Sequence, residues 1–147
     1  MPRRSRRPAP WTPAERRLLA RLKTPLDIQR WINALPYDVK YRARSPRRVM
    51  RERKAACFDG AMFAAAALRE LGHQARLVNL RTWNDDDHVL AVFTVDGGWG
   101  AVGGFTGPSN DLPLAVSTQP DGTGVVVGEN RALWRLPRWS DSTSPAS

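Results

Sequence analysis

One cysteine, Cys57, occurs in the 147 residues. No internal disulfide framework can form from it, and a reducing cytoplasm is the expected compartment. No apolar run approaches the length of a membrane-spanning helix. None follows the basic start Arg3-Arg4-Ser5-Arg6-Arg7 either, so neither membrane insertion nor a secretory signal is expected. Histidine is scarce, with only His73 and His88, and lysine is nearly replaced by arginine, 3 against 20. Three adjacent aspartates, Asp85-Asp86-Asp87, cannot all turn inward, and no other candidate ligands stand at metal-binding spacing. Neither a metal nor a cofactor is expected.

What is present suffices for one domain. Hydrophobic residues make up 41% of the chain, enough for a core at this length. Residues 1–10 are expected to be a disordered basic arm, residues 11–139 a single domain and residues 140–147 a polar tail. Charge divides sharply: residues 1–54 carry net +13 and residues 55–147 net −4. A basic front third attracts polyanions such as nucleic acid. The plainer reading is a solvated arginine-rich segment, as a GC-rich genome would encode.

Helices are expected first. Thr12-Pro13-Ala14-Glu15 is a capping box with proline at the first helical position, and Thr24-Pro25-Leu26-Asp27 repeats the device with aspartate. Ile28, Trp31, Ile32 and Leu35 follow helical spacing up to Pro36. Residues 37–54 read as basic and irregular, with Tyr37, Tyr41 and Val49 as anchors. From Cys57 a further helix is expected, with Phe58, Ala61, Met62, Ala65, Leu68 and Leu71 along its buried stripe and Gly72 as its stop.

Strands come later. Gln74–Arg81 alternates with apolar residues on both faces, and His88–Val95 is rich in β-branched residues. Asp96-Gly97-Gly98 signals a hairpin into Trp99–Val102. Loops are expected over 103–124, then short strands at 124–127 and 131–136. Helices followed by antiparallel strands indicate an α+β fold.

Chemistry concentrates on two residues. A thiol at a helix start, preceded by Arg53-Lys54, has its thiolate favoured by the helix dipole and by nearby cations. Asp59 would oppose this if it turned toward the sulfur; capping the helix is the alternative role. His88 opens a hydrophobic strand, where a polar residue needs a reason, whereas His73 in a helix-to-strand turn reads as a surface residue. A cysteine and a histidine apart in sequence but adjacent in space form a nucleophile–base pair. The plainer reading is a small buried cysteine and a strand-edge histidine satisfied locally.

The stretch from about Thr24 to Thr106 resembles bacterial transglutaminase-like domain proteins. The resemblance is carried by Cys57-Phe58-Asp59-Gly60-Ala61, Leu71-Gly72-His73-Gln74-Ala75-Arg76, Asp86-Asp87-His88 and Gly98-Trp99-Gly100-Ala101-Val102. It implies a papain-like cysteine-enzyme fold, with the Cys helix packed on an antiparallel sheet. It also implies that Cys57 is the nucleophile and His88 the general base. Trp99 becomes a candidate substrate-binding side chain. The family's third residue, an Asp shortly after that tryptophan, falls here on Gly103. The group that orients the imidazole must then come from elsewhere, with Asn110 and Asp111 as candidates and Asp85 and Asp86 as alternatives.

The expected function is a thiol hydrolase or acyltransferase acting through a Cys57–His88 dyad on an amide or ester of a peptide, protein or small molecule. One alternative is a binding module that keeps the fold without the reaction. The other is a nucleic-acid-associated protein using residues 1–54; among its tryptophans, Trp31 reads better as a core anchor than as a stacking platform.

Overall fold

The computed structural model describes residues 9–38, 40, 43–81, 88–103, 113–118, 120–121, 123–128 and 133–136. The arm expected over residues 1–10 is described only at Ala9 and Pro10, whose carbonyls accept from the Arg47 guanidinium. The tail over 140–147 lies outside the described residues. Among the described residues four helices precede six strands: α1 (Pro13–Arg21), α2 (Pro25–Asn33), α3 (Pro46–Glu52), α4 (Cys57–Glu70), β1 (Arg76–Leu80), β2 (His88–Val95), β3 (Gly98–Gly103), β4 (Pro113–Thr118), β5 (Gly124–Gly128) and β6 (Leu133–Leu136). This is the expected α+β order.

The first two helices start as their sequences dictate. Thr12 with Glu15 and Thr24 with Asp27 form reciprocal capping boxes, each with proline at the first helical position. The segment read as irregular contains a third helix, α3, built on the same device: Ser45 accepts from the Arg48 N–H and Pro46 opens the turn. Only Val49 and Met50 of α3 are buried, too few to give this arginine-rich stretch an apolar period.

The strands form two antiparallel three-stranded sheets, in the orders β1-β2-β3 and β4-β5-β6. The β2–β3 connection is a two-residue turn in which Asp96 (φ 50°) and Gly97 (φ 78°) are both left-handed, matching the twist of the flanking strands. β4 corrects the expectation of loops throughout 103–124. β1 is an edge strand, so its Leu77 stays 40% exposed while Leu80 is buried.

The core lies between α4 and the first sheet. Phe63, Leu68, Ile28, Ile32, Val49, Ala91, Phe93 and Val102 are buried together there. The buried face of α4 is rotated from the expected stripe: Phe63, Ala64 and Ala67 join Ala61, Ala65 and Leu68 inside, while Phe58 is exposed. An alanine-rich helix is apolar nearly all round, so periodicity could not select the face. Trp31 stacks on Phe63 with centroids 4.4 Å apart, as its reading as a core anchor requires.

A buried arginine ties this core to the basic segment. Arg44, 4% exposed, meets three carboxylates. Its Nε bonds Glu52 at 2.6 Å, one terminal nitrogen bonds Asp59 at 3.3 Å, and the other bonds Asp38. Asp59 also accepts from the Arg44 backbone N–H at 2.8 Å and from the Ala56 N–H at 3.1 Å. A buried guanidinium needs this degree of pairing to offset its desolvation. Hydrogen bonds from Arg44 and then Arg48 pull the Glu52 carboxyl down to about 2, and those from Arg44 and the Lys40 N–H lower Asp38.

Both depressed carboxyls contribute stability that is complete above their unfolded pKa and is lost as pH falls through the folded one. For Glu52 that window runs from its ordinary 4.5 down to about 2. Thermal unfolding should therefore show the melting temperature falling across this window, with a shallower fall in Glu52→Gln. Asp59→Ala should cost about 3–5 kcal/mol in denaturant unfolding, because it breaks a buried pair with Arg44 and strands two buried backbone N–H groups.

Candidate active site

Cys57 is the first residue of α4 and is half-buried against the main core. The chain leading to it is zipped to the end of α2's connection. Ala55 forms a bridge with Tyr37, its N–H bonds the Pro36 carbonyl at 3.3 Å, and its carbonyl accepts from the Asp38 N–H at 3.0 Å. Ala56 occupies the N-cap position and has no side-chain acceptor, so only half of a capping box exists: the Asp59 carboxylate taking the Ala56 N–H. Asp59 is thus bound by Arg44 and the cap and is 1% exposed. It caps the helix, the role that sequence suggested as the alternative to opposing the thiolate.

His88 opens β2, opposite Leu80 of β1. It is 9% exposed, and its Nε2 is buried with no hydrogen-bond partner among the described residues. An unpaired buried polar nitrogen costs about 1–3 kcal/mol, which makes it a group that calls for a functional or structural reason.

The relative direction of helix and strand follows from the other histidine. His73 lies just past the end of α4, and its ring packs on Phe93, late in β2, at 4.9 Å between centroids. His73 is therefore half-buried packing material and not the surface residue expected. α4 and β2 consequently run in the same direction, and their starting residues, Cys57 and His88, lie at the same end of the layer. Alternation adds a constraint. Ala91 and Phe93 point into the core with α4, whereas His88 shares its row with Leu90 and Val92, which cluster with Leu80 on the other face of the sheet. A proton path between the two residues would have to pass round the end of β2.

Gly103 lies at this end too, opposite Leu90 in the β2–β3 register. Its N–H bonds the Gln29 side chain of α2 at 3.0 Å. Its φ is +146°, and a Cβ there would meet Leu90 Cδ2 at 3.1 Å. The position where the resemblance led a carboxylate to be expected is thus filled by a backbone shape suited to glycine. Trp99 pairs with Thr94 beside the hairpin turn, six residues along β2 from His88 or about 20 Å at strand rise, and packs on Leu80, Leu90 and Val92. The structure does not bring it to the Cys57 end. Asn110, Asp111, Asp85, Asp86 and Asp87 lie outside the described residues.

Two participants escaped the sequence reading. Arg44 was one arginine among twenty, and Gln29 an ordinary polar helix residue; only the fold shows that they hold the Cys57 turn and the end of β3. Among the described residues, no three His, Cys, Asp or Glu side chains are grouped to hold a metal, and no helix is long and apolar enough to cross a membrane.

Comparison with known proteins agrees with this layout. No curated protein matches the chain. The family model described as the transglutaminase-like superfamily matches residues 14–103, a span that runs from α1 to the end of β3 and includes both Cys57 and His88. A chain matched over more than half its length, with its one cysteine opening the helix packed on the matched sheet, belongs to the transglutaminase-like superfamily.

Proposed function

We propose that the protein is a cysteine-dependent hydrolase or acyltransferase in which Cys57 attacks an amide or ester carbonyl and His88 handles the proton. The observation that carries this reading is the placement of the only thiol at a helix start, at the same end of the layer as a buried histidine nitrogen that has no partner among the described residues; because His88 stands in the row facing away from α4, the proton has to travel round the end of β2. Superfamily membership supports cysteine chemistry in general, and the residues named are our assignment.

The steps follow from the groups. His88 accepts the thiol proton, and the sulfur adds to the carbonyl carbon as the C=O π bond opens to an oxyanion. The positive end of α4 favours both the thiolate and that oxyanion. Collapse expels the amine or alcohol, which takes the proton from His88, and leaves a thioester on Cys57. Water or an amine then attacks the thioester, His88 again receives the proton, and the thiol is restored. The substrate in this reading is a peptide, protein or small amide or ester. Neither a metal nor a cofactor enters any step.

A second reading, a binding module of the same fold, is favoured by Gly103 and by the place of His88 in the row facing away from α4. With no carboxylate at that slot, an imidazolium at His88 would depend on another residue for its orientation. The φ of +146° and the Leu90 contact also argue against simple restoration.

Alkylation by iodoacetamide separates the two readings. An assisted Cys57 should be alkylated at neutral pH about tenfold or more faster than a free thiol, and His88→Gln should slow it toward the free-thiol rate. Both proteins reacting at the free-thiol rate would leave the binding-module reading. Gly103→Asp should not raise labelling. It should instead destabilise the fold by about 1–3 kcal/mol in denaturant unfolding, because a residue with a Cβ is strained at that φ.

A further inference from the structure

The four acidic residues among the first 54 are all engaged. Glu15 caps α1 and pairs with Arg47, Asp27 caps α2, Asp38 pairs with Arg44, and Glu52 pairs with Arg44 and Arg48. No acid in this segment is left to balance the remaining arginines. Three of those converge on one place. Arg17 and Arg21, one turn apart on α1, and Arg53, at the end of α3, line an open cavity of about 450 Å3, completed by Ala14 and by Leu18, which is buried. Among the described residues none of the three arginines has an ion pair or a side-chain hydrogen bond to an acid.

Arg53 is held there at a steric cost. It is the C-cap of α3 with φ 54°, a left-handed position where glycine is the usual residue. In that conformation its guanidinium lies 5.4 Å over the Trp31 ring, which itself stacks on Phe63. The third guanidinium is therefore braced by the core, while Arg17 and Arg21 line the same cavity from α1. Strain of this kind, kept at the wall of a charged cavity, points to use.

We propose that this groove binds the phosphate group of a small phosphorylated ligand. A planar carboxylate is saturated by one guanidinium fork, whereas a tetrahedral phosphate offers oxygens to donors arriving from several sides. The volume fits a small-molecule site. Single-stranded nucleic acid is disfavoured by the state of the two tryptophans in the basic third. Trp31 has Arg53 over its ring and Phe63 stacked on it, and Trp11 has Arg47 over its ring at 4.8 Å, packs on the core and bonds Glu70 through its indole N–H, so both rings are already engaged within the fold. This site is independent of the Cys57 chemistry and stands whether or not that chemistry occurs.

Calorimetric titration of the full chain with inorganic tripolyphosphate tests it. Saturable one-to-one binding is expected, weakened about tenfold by Arg17→Gln or Arg21→Gln as each removes a charge-assisted hydrogen bond, and weakened far less by Arg51→Gln, an exposed arginine outside the groove. Melting temperatures of all three variants should stay near that of the parent, since these side chains are exposed. Absence of saturable binding overturns the proposal. So does equal weakening by Arg51→Gln, which would mean attraction to net charge alone. Citrate binding as tightly as tripolyphosphate would reassign the site to carboxylates, and a single-stranded oligonucleotide binding much more tightly would reassign it to an extended polyanion; either result overturns the phosphate assignment.

Discussion

Arg44 is the point through which the halves of this protein are joined. A buried guanidinium is tolerable only if its donors are met, and here three carboxylates from three stretches of chain meet them: Asp38 before α3, Glu52 at its end and Asp59 inside α4. Asp59 in turn takes the N–H at the start of the Cys57 helix. The same ionic cluster thus secures the short α3, closes the basic segment onto the core and sets the turn that carries the thiol. Breaking any one pair leaves a buried charge with an unmet donor or acceptor, so the members depend on each other more than separate surface pairs do.

The candidate site inherits its properties from this anchoring. A nucleophile on the first turn of a helix gains from the helix dipole only if that turn is held still, and Ala56 supplies no side-chain cap to hold it. The Asp59 carboxylate, kept by Arg44, does so from within the helix. At the opposite side of the layer end, the sheet presents His88 with a buried nitrogen and Gly103 with a backbone shape that excludes a side chain. In the proposed assignment, Cys57 and His88 take the nucleophile and base roles, and Gly103 offers no carboxylate as a third member. This is the physical basis on which a working thiol enzyme and a binding module compete as readings.

Charge in the front third follows one rule. Every acid there is used for a cap or an internal pair, which leaves the remaining arginines without an acid partner in that segment. Among the described residues, α1 and the left-handed end of α3 bring three of these arginines, Arg17, Arg21 and Arg53, to the wall of a single cavity. Composition shows the excess charge, but only the packing of α1 against the core shows where it gathers.

Local chemistry determined much of this chain unaided. The Thr-Pro caps of α1 and α2, the hairpin at Asp96-Gly97 and the long apolar strand from His88 all rest on interactions among residues a few positions apart, so the sequence alone was enough to place them. The motif around Cys57 and the strand opening at His88 were legible for the same reason, and with them the superfamily. The tertiary structure decided what depends on distant partners. It buried Phe63 rather than Phe58, because an alanine-rich helix offers no strong period to choose its own face. It made α3 a helix around two buried residues and singled out Arg44 from twenty arginines. It turned His73 into packing for Phe93, and through that contact set which end of β2 lies near Cys57. Neither burial nor pairing at such separations leaves a local pattern, since the energy of each arises only when the chain brings the partners together.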